Sequence, residues 1–226
     1  MTRDDDKRLA AEAAVEEVQA GMLVGLGTGS TAAFAIARLG EKVRAGLAIR
    51  AVATSLASEA LARAAGIALL DFADVARLDL AIDGVDEIDP ELRAIKGAGG
   101  AMLREKIVAT AARRMIVIAD GAKRVARLGA AKVPVEVLPF ARSFAAARLA
   151  DLGAVVTPRD DGAYRTDQGN PVLDCHFTAL DPVVIAARIA AIPGVLGHGL
   201  FLDEADVAYI ADQGVVTRLA RDEMRS

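Results

Sequence analysis

A chain of 226 residues, 54% of them hydrophobic, is long enough to bury one large core or a large and a small one. Its formal net charge of −4 comes from interspersed acids and bases, so no basic stripe alternates with aromatics as a nucleic-acid surface requires, and no apolar run approaches the roughly 20 residues that span a bilayer. The single cysteine, Cys175, excludes an internal disulfide and a cysteine-based zinc site; it fits a reducing cytoplasm and is expected to be a small buried apolar residue.

Residues 3–20 carry Leu9, Ala10, Ala13, Ala14 and Val18 at helical spacing, with Asp4 to Asp6 at the positive end of the dipole and Gly21 as the stop. This acidic, helix-forming start does not read as a secretory leader, and Lys7 is expected on a solvated face, with its place in the first turns leaving it free to reach toward a nearby site. A strand over Met22 to Leu26 runs into GLGTGST at 25–31 and a helix over Ala32 to Leu39, which makes an anion site on first principles. A dinucleotide fingerprint would need glycine where Ser30 stands and an acid at the end of the second strand, Leu47 to Ala53, which instead runs into Thr54 and Ser55. A phosphate-loop lysine is also missing. What remains is Thr28, Gly29, Ser30 and Thr31, hydroxyls and N–H groups sized for one phosphate or for sugar hydroxyls, with Ser30 expected as the helix cap.

Ser55 or Ser58 begins the next helix, Gly66 ends it, and Ile67 to Leu70 is a strand; this alternation specifies a parallel sheet covered on both faces. The apolar LDLAI strand then feeds DGVDEIDPELRAIKGAGGAMLREK, residues 83–106. Asp83, Gly84, Val85 and Asp86 should turn at the carboxyl end of that strand, where open α/β sheets place their ligands. Leu92 to Ile95 should bring Lys96 out at a further strand end; Gly97, Ala98 and Gly99 bring backbone N–H groups to a ligand, and a helix opening near Ala101 carries Glu105. Isolated Asp-Gly pairs are ordinary turns, but three acids, a lysine and a glycine loop in one short stretch point to a pocket. Met115 to Ala119 is another buried strand, and Lys123 follows it at the same sheet edge as Lys96.

From Val133 the pattern becomes strand, helix, strand, turn, strand, helix, and the tail has two strands around Asp212-Gln213-Gly214. The fold class is therefore α/β, with residues 1–131 and 206–226 in a parallel-sheet domain and residues 132–205 in a smaller α+β domain. His176 and His198 lie far from the acids and are expected to be structural.

The motifs GLGTGST at 25–31, DGVDE at 83–87, KGAGGAMLREK at 96–106, IADGAK at 118–123 and KVPVEVLP at 132–139, with Gly-Leu-Phe near 199–201, resemble those of the type A ribose-5-phosphate isomerase family across nearly the whole chain. The resemblance implies a Rossmann-like domain with a ferredoxin-like one, and a cytoplasmic homodimer or homotetramer. It also implies metal- and cofactor-free interconversion of ribose 5-phosphate and ribulose 5-phosphate, in the non-oxidative branch of the pentose phosphate pathway. It makes Glu105 the proton acceptor, with Thr28 to Thr31, Asp83 to Asp86, Lys96 to Gly99 and Lys123 as substrate-binding segments. Ala98 departs from the three glycines of many members, and its methyl is tolerable with a negative φ. In the expected chemistry one base moves the proton between C2 and C1 while Lys96 stabilises the enediolate and Asp83 and Asp86 handle the hydroxyl protons. A sugar-phosphate sensor and a CoA-transferase-like enzyme are the alternatives on related folds.

Overall fold

The computed structural model describes residues 2–179 and 181–221. Its elements are, in chain order, α1 (Arg3–Val15), β1 (Leu23–Leu26), α2 (Ser30–Arg44), β2 (Arg50–Ala53), α3 (Leu56–Ala64), β3 (Ala68–Leu69) and β4 (Leu80–Gly84). There follow β5 (Glu87–Ile88), β6 (Ala94–Ile95), α4 (Met102–Ala111), β7 (Met115–Asp120), β8 (Val133–Val137), α5 (Arg142–Asp151), β9 (Ala154–Pro158) and β10 (Val172–Phe177). The chain closes with α6 (Pro182–Ala190), β11 (Val195–His198), β12 (Leu200–Phe201), β13 (Val207–Asp212) and β14 (Val215–Ala220). Among the described residues no helix is long and apolar enough to cross a membrane.

Two compact units result. The first comprises Met1–Val85, Arg104–Arg124 and Asp203–Ser226, and holds a seven-stranded sheet ordered β14-β13-β7-β4-β1-β2-β3. All its neighbours are parallel except β13 and β14, so the tail hairpin adds an antiparallel edge to a sheet that is otherwise parallel. Strands such as Met115–Asp120 are buried at every position because both faces are covered, which is why they read as continuous apolar runs. α1 is held at its start by a capping box between Thr2 and Asp5 and stops at Val15, five residues short of the sequence expectation, although Val18 still packs into the core.

The second unit comprises Asp86–Leu103 and Val125–Leu202. Here β8, β9, β10 and β11 form an antiparallel sheet ordered β11-β8-β10-β9, with α5 joining β8 to β9 and α6 joining β10 to β11, the ferredoxin-like arrangement of two interleaved βαβ halves. The unit's core gathers Val133, Val135 and Val137 with Leu149, Leu173, Cys175 and Ile189. Cys175 is fully buried, and burial pushes its thiol up to about 12, which keeps it protonated and inert.

The unit boundaries differ from the sequence expectation at Asp86–Leu103 and Val125–Ala131, which belong to the second unit, and at Asp203–Ala205, which belong to the first. The reason is a small three-stranded antiparallel sheet, β12-β6-β5, that ties Glu87–Ile88 and Ala94–Ile95 to Leu200–Phe201. Buried Glu87 reinforces it by accepting hydrogen bonds from the N–H groups of Gly129, at 2.8 Å, and Ala131. Lys96 therefore follows a strand of this small sheet, and not, as expected, an edge shared with Lys123.

Candidate active site

In the first unit the carboxyl ends of β1, β4 and β7 lie side by side, with Leu26 opposite Ile82 and Gly84 opposite Ile118. Thr28–Thr31 leaves β1 at this edge, Asp83 and Gly84 end β4, and Lys123 lies in the short turn after β7. Asp83 is buried, and its Oδ1 accepts from the N–H of Thr28 at 3.0 Å and of Gly84 at 2.7 Å. Gly27 makes this possible: a Cβ there would fall 2.0 Å from Asp83 Oδ1, in the space the carboxylate fills. Val85 is buried directly after them.

Gly29, not Ser30, caps α2; its φ of 105° and ψ of 178° suit only glycine, so Ser30 becomes the first helical residue. Gly29 and Ser30 are exposed, which leaves the N-terminus of a 15-residue helix open to an anion. Thr28 has a different occupation. Its hydroxyl lies 2.7 Å from Thr54 Oγ1, donates to Ser55 Oγ at 2.8 Å, and Ser55 continues to Ser58, which donates to the Gly27 carbonyl at 2.6 Å. One hydrogen per hydroxyl is spent along that relay, so the Thr28 hydroxyl can accept from a ligand but has none left to donate. Thr28 pins the loop, and the donors open to an anion are the N–H and hydroxyl groups of Gly29, Ser30 and Thr31.

Glu105 is buried in the first turn of α4. The far end of α4 bonds the amino end of the sheet, with Leu78 N–H donating to the Ala111 carbonyl at 2.9 Å, so the helix runs antiparallel to β4 and its first turn lies toward the carboxyl edge. Val108 packs against Gly25, where a Cβ would meet its Cγ1 at 2.5 Å. Glu105 is on the same face one turn earlier, about 4.5 Å along the helix. One strand residue spans about 3.3 Å, so Glu105 is level with Leu26 and Gly27, the height at which Asp83 sits. Asp120 Oδ1 caps the turn that carries Lys123 by accepting from Ala122 N–H at 3.1 Å. Lys7 is held by Asp4 at 2.9 Å.

The second unit holds the remaining candidates. Asp86 donates its N–H to the Ile95 carbonyl at 2.8 Å, and its Oδ2 accepts from Ala98 N–H at 2.9 Å. Lys96 is buried, its N–H donating to the Gly199 carbonyl at 2.9 Å and its Nζ standing 5.4 Å from the centre of the Phe201 ring. In the loop after it the left-handed positions are Gly97, φ 102°, and Gly100, φ 80°, whereas Ala98 and Gly99 keep negative φ. That is why a methyl is accommodated at 98. Sequence reasoning missed Arg159 and Tyr164, which contact this loop, Asp174, which pairs with Arg159, and the hydroxyls of Thr54, Ser55 and Ser58 around that of Thr28. A surface depression of about 430 Å³ beside Arg93 and Asp181 contains none of the candidates. His198 is buried, its Nδ1 accepting from Leu200 N–H at 3.2 Å, and His176 is exposed.

The family model for ribose 5-phosphate isomerase A (phosphoriboisomerase A) matches residues 50–214. The chain is 53% identical over 221 residues to ribose-5-phosphate isomerase A of Sphingopyxis alaskensis, covering 96% of this chain and 97% of that one, and 52% identical to that of Gluconobacter oxydans, with coverages of 91% and 92%. It superposes on the crystal structure of ribose 5-phosphate isomerase A from Neisseria gonorrhoeae with a TM-score of 0.92, at 38% identity and coverages of 97% and 98%. A D-ribose-5-phosphate isomerase structure in complex with phospho-erythronic acid matches with a TM-score of 0.94, at 36% identity and coverages of 98% and 100%.

Proposed function

Since this chain belongs to the ribose 5-phosphate isomerase A family, we infer that it interconverts D-ribose 5-phosphate and D-ribulose 5-phosphate, with Glu105 as the base. The observation that carries the role of Glu105 is a buried carboxylate one turn above the β1 contact, level with Asp83. Glu105 takes the proton from C2 of the open-chain aldose and returns it to C1. The electrons of the C2–H bond form the C1=C2 bond of the enediolate while the C1 carbonyl becomes the oxyanion, so a single base on one face serves both steps. Lys96 stabilises the enediolate charge, a contribution of about 3 kcal/mol for a preorganised donor. Asp83 and Asp86 move the hydroxyl protons at O1 and O2 and assist ring opening. Gly29, Ser30, Thr31 and Lys123 hold the phosphate and Gly97, Ala98 and Gly99 line the substrate, with Gly84 and Val85 shaping the turn. A relative that binds phospho-erythronic acid supports this reading, because a phosphorylated sugar acid carries the two-oxygen charge that an enediolate carries.

An assay that couples ribulose 5-phosphate formation to an indicator tests the activity directly, and no turnover of ribose 5-phosphate overturns it. The path of the hydrogen has its own test. A hydride shift needs a divalent cation among carboxylates and histidines, and the fixed charge of Lys96 would compete with one. Activity is therefore expected to survive exhaustive chelation, with solvent deuterium appearing at C1 of the ketose, since a carboxylic acid proton exchanges before it is returned. Activity lost on chelation and restored by a divalent metal, with no deuterium incorporated, would sink the Glu105 mechanism.

The family's cytoplasmic homodimer or homotetramer belongs to the same proposal. Phe140 is wholly exposed, and Leu138, Phe144, Val183 and Val184 are also exposed large apolar side chains of the second unit, which supports a surface covered by another copy. Sedimentation at micromolar concentration is expected to give a dimer or tetramer; a monomer rejects it.

A further inference from the structure

The glycine loop of the second unit is held by two side chains, Arg159 and Tyr164, that bond its carbonyls. Arg159 lies at the end of β9, and its guanidinium divides its work between two partners. Nε and Nη2 form a two-point ion pair with Asp174 of β10, at 3.0 Å and 2.6 Å, while Nη1 donates to the carbonyls of Gly97 and Ala98 at 3.2 Å and 3.1 Å. Both side chains are mostly buried, 13% and 14% exposed. Burial works against the charge on Arg159, but the hydrogen bonds and charge of Asp174 hold its pKa above the ordinary arginine value. Tyr164 completes the grip: its ring lies 5.2 Å from the guanidinium carbon, and its hydroxyl donates to the Gly99 carbonyl at 3.2 Å. Gly100 must lack a side chain because a Cβ there would fall 1.8 Å from the Tyr164 oxygen.

The consequence follows from peptide geometry, in which the C=O and N–H of one planar unit point opposite ways. The Gly97–Ala98 peptide gives its carbonyl to Arg159 and its N–H to Asp86, so it is held between a cation and an anion. In the next peptide the Ala98 carbonyl also turns to Arg159, which aims the Gly99 N–H away from the guanidinium; among the described residues that N–H has no acceptor. From this we propose that Arg159, braced by Asp174 and Tyr164, is a positioning residue for the isomerase reaction, orienting the Asp86 carboxylate and presenting the Gly99 N–H to the substrate. The turn that delivers it supports a built device: Asp160 and Asp161, immediately after Arg159, both take positive φ, 48° and 51°, and lead the chain back through Gly162 to Tyr164.

This rests on the functional reading above, so the test separates the two. Arg159→Lys keeps a charge and the hydrophobic stem, but one nitrogen cannot pair with Asp174 and hold two carbonyls at once. The variant is expected to fold, with kcat reduced about 10- to 100-fold and KM changed less than about 3-fold, as misplacement of reacting groups does. Amide hydrogens across residues 96–102 are expected to exchange at least about 10-fold faster than in the unsubstituted protein. In Arg159→Ala, millimolar guanidinium should restore part of kcat and urea should not. Unchanged kcat in Arg159→Lys, or unchanged exchange in the loop, overturns the proposal. If the unsubstituted protein fails to turn over ribose 5-phosphate, the functional reading falls instead, and the exchange measurement alone decides whether Arg159 holds the loop.

Discussion

Glu105→Gln is expected to lower kcat by at least ~10²-fold while leaving the folded structure intact, as the loss of a general base does. The substitution preserves volume, so the packing of α4 on β1 through Val108 and Gly25 is undisturbed. What it removes is the lone pair that accepts the C2 proton, since an amide cannot serve as base in the enediolate pathway. The loss should appear in kcat and kcat/KM alike, because proton abstraction takes place only in the transition state and Glu105 is not the group that holds the phosphate. Thermal unfolding of the variant serves as the control for folding. A near-normal kcat would show that another group moves the proton, and Asp83, level with Glu105 on the same edge, would be the next residue to substitute.

Local pattern carried the legible part of this architecture. Asp83 could be found because an apolar strand runs straight into an acid and a glycine, and the parallel sheet that puts such a residue at a carboxyl edge follows from strand and helix alternation. Lys96 was legible as a candidate, but its sheet was not: β6 is two residues long, and its partners β5 and β12 lie on either side of it in the chain, the latter about a hundred residues away. Ser30 illustrates a nearer limit. Serine is a good cap by side-chain chemistry, yet the backbone at Gly29 takes a conformation open only to glycine and claims the cap position one residue earlier. Arg159 could not be found as a loop contact, because the loop atoms it bonds are backbone carbonyls more than 60 residues away and no sequence pattern marks a carbonyl as an acceptor. Thr28 is legible as part of a loop at a helix start, but its hydroxyl serves a relay closed by Thr54, Ser55 and Ser58, a use visible only once β1 and β2 are neighbours.

Free ribose is expected to be turned over at least ~10³-fold less efficiently than its 5-phosphate, judged by kcat/KM, and the estimate follows from the donors at the N-terminus of α2. Hydrogen bonds to a charged group contribute about 1.5–3 kcal/mol each. Three of them, from exposed Gly29 and Ser30 and half-buried Thr31, would supply roughly 4.5–9 kcal/mol, which at 1.36 kcal/mol per decade is a factor of about 2 × 10³ to 4 × 10⁶. The Thr28 hydroxyl is left out of that sum because its hydrogen is already committed to Ser55. Part of the loss should fall on kcat, since binding energy from the remote phosphate holds the reacting carbons in register with the base and a substrate without it must be ordered by the weaker contacts alone. Ser30→Ala and Lys123→Ala should narrow the gap between the two substrates by weakening only the phosphorylated one, whereas Glu105→Gln should depress both. Ribose turned over as efficiently as ribose 5-phosphate, or a gap unmoved by the Ser30 and Lys123 substitutions, would take the phosphate away from this helix end.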